Sequence, residues 1–186
     1  RQLRIDPDAV EPQLPELHKV KSTIASQDKP RRMLAVRDPR VRVEMIKKEG
    51  GTTLTEAAVA RGLRWMAQHQ NGDGSWSLHA FGNTPDCQGR CGHAGSVRSD
   101  AAGTSLVLLP FLGAGQTHLV GQYQEEVSHG LRWLIERQKA DGDLRHSSTG
   151  NSGMYAHGQA AIVLCEALAM TGDEQLHEPA QKAIDF

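Results

Sequence analysis

The chain has 186 residues and a formal charge of −1, which leaves room for one ordinary domain plus a tail and excludes a general nucleic-acid-binding surface. No run approaches the roughly 20 apolar residues of a membrane-spanning helix, and no basic, apolar and small-residue succession marks a secretory signal. Three cysteines, Cys87, Cys91 and Cys165, are too few for a disulfide-stapled scaffold; their odd number leaves one thiol outside any intrachain pair, and the compartment stays open.

Residues 1–52 read as an extended, basic, proline-containing arm. Positions 1–50 carry twelve Lys/Arg against eight Asp/Glu, whereas positions 51–186 carry nine against fourteen. The same fifty residues hold five of the eight prolines and no aromatic side chain, too little apolar surface to offset the chain entropy of folding. The arm is expected to be a solvated linker.

A one-sided helix is expected next. Val59, Leu63 and Met66 keep the i, i+4, i+7 spacing, with Arg64 and Gln68 left for water. It runs into QNGDGSWSL, residues 70–78, where Asn71, Asp73 and Ser75 alternate as at the start of a calcium loop. An EF-hand loop needs Gly at its sixth position and Glu at its twelfth, and Trp76 and Gly82 stand there, so calcium is excluded. A Gly-rich connection follows, HAFGNTPDCQGRCGHAGS, containing Cys87-x-x-x-Cys91-x-His93. Then comes DAAGTSLVLLPFLGAG, Asp100 to Gly115, apolar nearly all round and therefore expected to be buried on most sides; Pro110 is expected to kink it.

The pattern then repeats. VSHGLRWLIERQKADGDL, Val127 to Leu144, lies over VARGLRWMAQHQNGDGSW, Val59 to Trp76, which sets Trp65 and Trp133 sixty-eight positions apart. HGQAAIVLCEALAMTG, His157 to Gly172, likewise lies over residues 100–115. Cys165, inside that apolar run, reads as a small core residue. A third copy opens at Lys182-Ala183-x-x-Phe186 and is cut off. Each unit thus pairs an amphipathic outer helix with an apolar inner one, and the expected architecture is all-α, tandem helical hairpins over residues 53–186. What recurs at the helix exits is Gln, three residues, then Gly: Gln70 and Gln138 are placed to bond exposed carbonyls, and Gly74 and Gly142 fit a left-handed exit.

Arg61-Gly62-x-x-Trp65-Met66-x-x-x-Gln70-x-x-x-Gly74-x-Trp76 resembles the QW repeat of squalene–hopene and oxidosqualene cyclases. The second copy keeps Gly130, Trp133, Gln138 and Gly142 but has His129 for the basic residue and Leu144 for the final Trp. The likeness covers about Thr53 to Phe186. It implies a partial α/α toroid of the prenyltransferase and squalene-cyclase-like superfamily, in which QW repeats tie outer helices together and do no chemistry. It also implies that the chain is part of a longer protein with further repeats, and that an apolar or isoprenoid ligand is the one to expect.

The chemistry of that family needs an Asp-x-Asp-Asp acid, and these residues contain none; Asp141-Gly142-Asp143 comes nearest and lies in a repeat turn. Protein prenyltransferases, within the same resemblance, hold zinc by Asp, Cys and His near inner-helix starts. Asp100 and His157 occupy equivalent positions and are cavity candidates with Tyr155, beside Asn151; Ala102 stands where the prenyltransferase Cys would be, and Asp100 also reads as a helix N-cap following Ser99. A second candidate for zinc is Cys87, Cys91 and His93, with His79, Asp86 or Asp100 as a fourth ligand. A Cys87–Cys91 disulfide and a pair of free thiols are the alternatives.

Three readings of function follow: a non-catalytic binding or scaffold part of a larger protein, a fragment of an isoprenoid cyclase or prenyltransferase-type enzyme whose acid lies elsewhere, and a carbohydrate-active toroid. The QW match counts against the third.

Overall fold

Thr52 and Ser99 begin the two helices of the first unit with the same device. The Thr52 hydroxyl accepts the Thr55 amide at 3.3 Å while the Thr55 hydroxyl accepts the Thr52 amide at 2.9 Å, a reciprocal capping box. Ser99 accepts the Ala102 amide at 3.1 Å, so Ser99 is the cap and Asp100 is the first helical residue, its carboxylate at the positive end of the helix dipole.

The computed structural model describes residues 34–186. Six α-helices follow one another: α1 (Pro39–Lys48), α2 (Thr53–Gln68), α3 (Asp100–Gly113), α4 (Gln124–Glu136), α5 (Gly150–Thr171) and α6 (His177–Asp185). No strand occurs among the described residues. The inner helices α3 and α5 pack on each other most extensively; α2 and α4 lean on α3, and α6 leans on α5. Helical hairpins in tandem, expected from the repeat, are what the chain builds.

The burial pattern separates the two layers. On α3 only Leu106, Pro110 and Gly113 are exposed, and Leu108, Phe111 and Leu112 are fully enclosed. On α4 the buried residues Val127, Gly130, Leu131, Trp133 and Leu134 form one face. The first outer helix is less covered: Leu63 is buried, but Leu54, Val59 and Trp65 are exposed, on a helix whose principal described neighbour is α3.

Two local expectations change. The end of the arm is a helix, α1, because Pro39 supplies a preset φ at the first helical position, and Arg37 and Arg42 pair with Glu166 of α5 and Glu56 of α2; residues 1–33 lie outside the described residues. Helix α5 begins at Gly150, two turns before His157, so His157 does not stand at a helix start. Residues 150–153 are Gly, Asn, Ser and Gly, yet they are helical after an extended Thr149, and a Cβ on Gly153 would lie 2.9 Å from the Ser148 carbonyl oxygen. Pro110 falls in the last turn of α3, which continues through it to Gly113.

Trp76 is the hinge of the core between units. Its ring is buried, its indole N–H donates to the Met66 carbonyl at 2.7 Å, and its amide donates to Thr104 Oγ1 at 3.0 Å. A Cβ on Gly130 would sit 2.8 Å from the Trp76 ring, whereas one on Gly62, the equivalent residue of the first unit, meets nothing within 4 Å. Trp76→Ala is therefore expected to cost about 3–5 kcal/mol in chemical denaturation. Gly130→Ala should destabilise by about 1–3 kcal/mol by overpacking, and Gly62→Ala should stabilise by roughly 0.5–1 kcal/mol; equal effects at the two glycines would contradict the packing.

Candidate functional site

The repeat signature converges on the exits of the outer helices. Gln70 Nε2 donates to the Gly74 carbonyl at 2.9 Å and to the Glu126 carbonyl, in the first turn of α4, also at 2.9 Å. Gln138 Nε2 does the same one unit later, to Gly142 at 3.3 Å and to Pro179 in the first turn of α6 at 2.9 Å. Each glutamine thus joins its own turn to the next outer helix. Gly74 and Gly142 have φ of 92° and 94°, and a Cβ on either would strike the carbonyl of His129 or Lys182, equivalent residues of α4 and α6.

Asp73 adds a tie that the sequence did not announce. Its Oδ1 accepts from the Ser75 amide and hydroxyl, and its Oδ2 accepts the Trp133 indole N–H at 2.8 Å. Burial works against its charge, but Ser75, the indole and Arg137 together hold its carboxyl below the usual range. Trp133 is 2% exposed with Arg137 stacked over it; Trp65, which carries the His69 ring at the equivalent position, is 42% exposed. Arg61 projects to solvent.

In the second turn Asp143 takes over. Arg145 bonds both its oxygens, Lys139 reaches Oδ2 at 2.7 Å, and against the cost of burial these cations hold its carboxyl well below the usual range. Asp143 corresponds to Ser75, and repeat comparison alone carries no sign of its charge being buried.

The cavity candidates separate in the structure. His157 is buried; Nδ1 accepts the Leu144 amide at 3.2 Å and Nε2–H donates to the Ala183 carbonyl at 3.0 Å, so both ring nitrogens are engaged. Thr104 does the equivalent work for Trp76, one turn along α3. Tyr155 and Asn151 are exposed and do not share a mouth with His157's nitrogens. Asp100 is half-buried, and its Oδ1 is enclosed with no hydrogen-bond partner. An apolar groove of ≈ 420 Å³ runs between α5 and α6, lined by His157, Ala161, Ile162, Cys165, Ala183 and Ile184 among others. Cys165 packs half-buried against the core at this groove, and burial pushes its thiol up.

Cys87 and Cys91 do come together, but with His69 in place of His93. His93 is exposed, in a left-handed conformation at φ 63°, outside the group. His79 bonds Ser77, and Asp86 is exposed. All three cysteines are free thiols. Burial pushes the Cys87 thiol up, yet the Cys91 amide and thiol and the His69 ring outweigh it and bring it down to about 7. A sign of His69 was present in the repeat: the second copy has Arg137 at that register position.

The profile described as the squalene-hopene cyclase C-terminal domain matches residues 42–158. The chain is also similar to a dammaradiene synthase of Dryopteris crassirhizoma, 33% identical over 113 residues, which is 55% of this chain and 16% of that protein. It therefore spans well under a fifth of that relative's length. No solved structure matches. No helix among the described residues is long and apolar enough to cross a membrane.

The Asp143 network sets a pH dependence. Its folded carboxyl titrates below the unfolded one, so its contribution is complete above the ordinary carboxylate pKa of about 4 and is lost as pH falls below that value. Asp143→Asn is expected to destabilise by about 1–3 kcal/mol at neutral pH and to flatten the acid limb of a stability-versus-pH curve; an unchanged limb would contradict the assignment.

Proposed function

The chain belongs to the squalene-hopene cyclase C-terminal domain family, and on that premise we propose that it is a non-catalytic wall segment of a larger α/α toroid, a scaffold that positions further repeats around an apolar interior. The observation that carries this reading is the use to which the polar groups are put. His157, Asp73 and Asp143, the groups nearest to catalytic chemistry in type, are all engaged in holding turn to helix or unit to unit.

The exposed side of α5 extends the reading. Ile162 of α5 and Ile184 of α6 are exposed along the groove between the two helices, and the other side of α5 packs on α3. A further inner helix seated there would cover apolar surface as α5 covers that of α3. Further repeats of the same longer protein are the partner this surface fits, and an apolar or isoprenoid molecule is the ligand that the interior of such a ring would take.

A second reading is favoured by one feature, the enclosed and unpartnered Oδ1 of Asp100: the segment would belong to an isoprenoid-cyclising enzyme. Buried carboxyl oxygens without partners are costly and are found where chemistry needs them. Incubating the whole protein with squalene and with squalene epoxide separates the two. The scaffold reading expects both to be returned unchanged. A polycyclic product lost in Asp100→Asn would establish the second reading with Asp100 as its acid, and one that survives that change would establish it with the acid at another residue.

A further inference from the structure

One group of soft metal-binding donors stands apart from the clasps and from the proposed wall. We propose that His69, Cys87 and Cys91 form a three-ligand zinc site, through two thiolate sulfurs and the imidazole Nε2, at the joint between the exit of α2 and the connection to α3.

The three donor atoms lie within 4.8 Å of one another, and His69 Nε2 is 3.3 Å from Cys91 Sγ. Tetrahedral zinc, with Zn–S of about 2.3 Å and Zn–N of about 2.0 Å, separates sulfur from nitrogen by about 3.5 Å and sulfur from sulfur by about 3.8 Å. The donors therefore close on an ion by side-chain adjustment, with no change of fold.

The imidazole is already oriented for ligation. Its Nδ1–H donates to the Trp65 carbonyl at 2.6 Å, so the lone pair is on Nε2, facing the sulfur. Ligating histidines are set by this kind of bond on the far nitrogen. The ring also stacks on Trp65, with centroids 4.0 Å apart. On the other side of the site, Cys87 Sγ accepts the Cys91 amide at 3.3 Å, a bond that favours charge on the sulfur. Gln88 and Gly89, with φ of 51° and 74°, turn the chain so that Cys91 returns to Cys87.

Donor chemistry selects the ion. Two thiolates and an imidazole suit zinc, whereas magnesium and calcium take oxygen. His69 is 4% and Cys87 3% exposed, and Cys91 is half-buried, so the fourth position faces outward, to water or an exogenous donor.

The connection also lacks other support. Between residues 78 and 98 only Thr84 and Cys87 are buried, far too little to order so long a segment by apolar packing. The second unit covers the same route in residues 137–149, with Arg137 in place of His69 and no cysteine. The ligands occur in the unit that carries the long connection and not in the one that lacks it.

The inference holds whether or not the toroid is catalytic, and its test reads metal, not turnover. Reduced wild-type protein, loaded with zinc and dialysed against metal-free buffer, is expected to retain a stoichiometric ion. Cobalt(II) in its place should give an intense thiolate-to-metal charge-transfer band with tetrahedral d–d absorption. His93→Ala should bind as the wild type does, while Cys87→Ser, Cys91→Ser and His69→Asn each weaken binding by more than about 100-fold, beyond the loss that second-shell changes cause. Substoichiometric zinc in the wild type, a cobalt spectrum without the thiolate band, or a Cys87–Cys91 disulfide in the isolated protein would overturn the proposal. The first two readouts use the unaltered chain, so a variant that fails to fold does not obscure the result.

Discussion

A glutamine amide with two protons, placed at the exit of each outer helix, is the interaction on which the architecture rests. Gln70 and Gln138 each donate to two carbonyls, one in the turn that follows and one in the first turn of the next outer helix. A hydroxyl offers a single proton and could not make both bonds, and a carboxylate would repel both oxygens. The turn must bring its carbonyl back toward the helix it has just left, which requires the left-handed backbone of Gly74 and Gly142. The absence of a side chain at those glycines then lets the turn lie against the carbonyls of His129 and Lys182. Conformation, donor count and close approach are one constraint seen from three sides.

Because each amide reaches into the following unit, the units are coupled by interfaces as well as by the chain. In a repeat array the stability is the sum of weak intrinsic terms and nearest-neighbour terms. Here the neighbour terms are of two kinds: the polar clasps among outer helices and the apolar contact of α3 with α5. The first is directional and sets the register; the second supplies most of the burial. Asp73 joins them, since its carboxylate fixes the indole of Trp133 while its own turn is held by Gln70.

The fold was legible where chemistry repeated. Gly-Leu-Arg-Trp and the Gln-to-Gly spacing identified both outer-helix exits, and the two apolar runs identified the inner helices, because a helix covered on most sides carries few charges. The start of α5 was not legible, since Gly150, Asn151, Ser152 and Gly153 are poor helix formers and Thr149 before them makes no side-chain capping bond; the close approach of Gly153 to the Ser148 carbonyl is a tertiary feature that the sequence does not announce. Helix α1 escaped for the opposite reason, having few buried residues and being held by ion pairs that join distant parts of the chain. At the cysteine cluster, spacing along the chain favoured His93, two residues from Cys91. The left-handed residues Gln88 and Gly89 bend the connection back on α2 and bring up His69 from a remote position instead.

That replacement bears on how the first unit tolerates its long connection. His69 immediately precedes Gln70, so the residue that faces the cysteines and the residue that clasps α4 share one helix end. Anything that orders the Cys87–Cys91 turn also restrains the backbone from which the glutamine reaches. Thr84 reinforces the same end by donating to the Gln68 carbonyl at 3.1 Å, one of the carbonyls that helix termination leaves without a helical partner. In the second unit Arg137 stands at this position and stacks on Trp133, and Asp143 with its cations closes the shorter turn. The two units therefore secure the same helix exit by different chemistry, sulfur and imidazole in one and an ion-pair cluster in the other, and the choice follows the length of chain that each exit has to control.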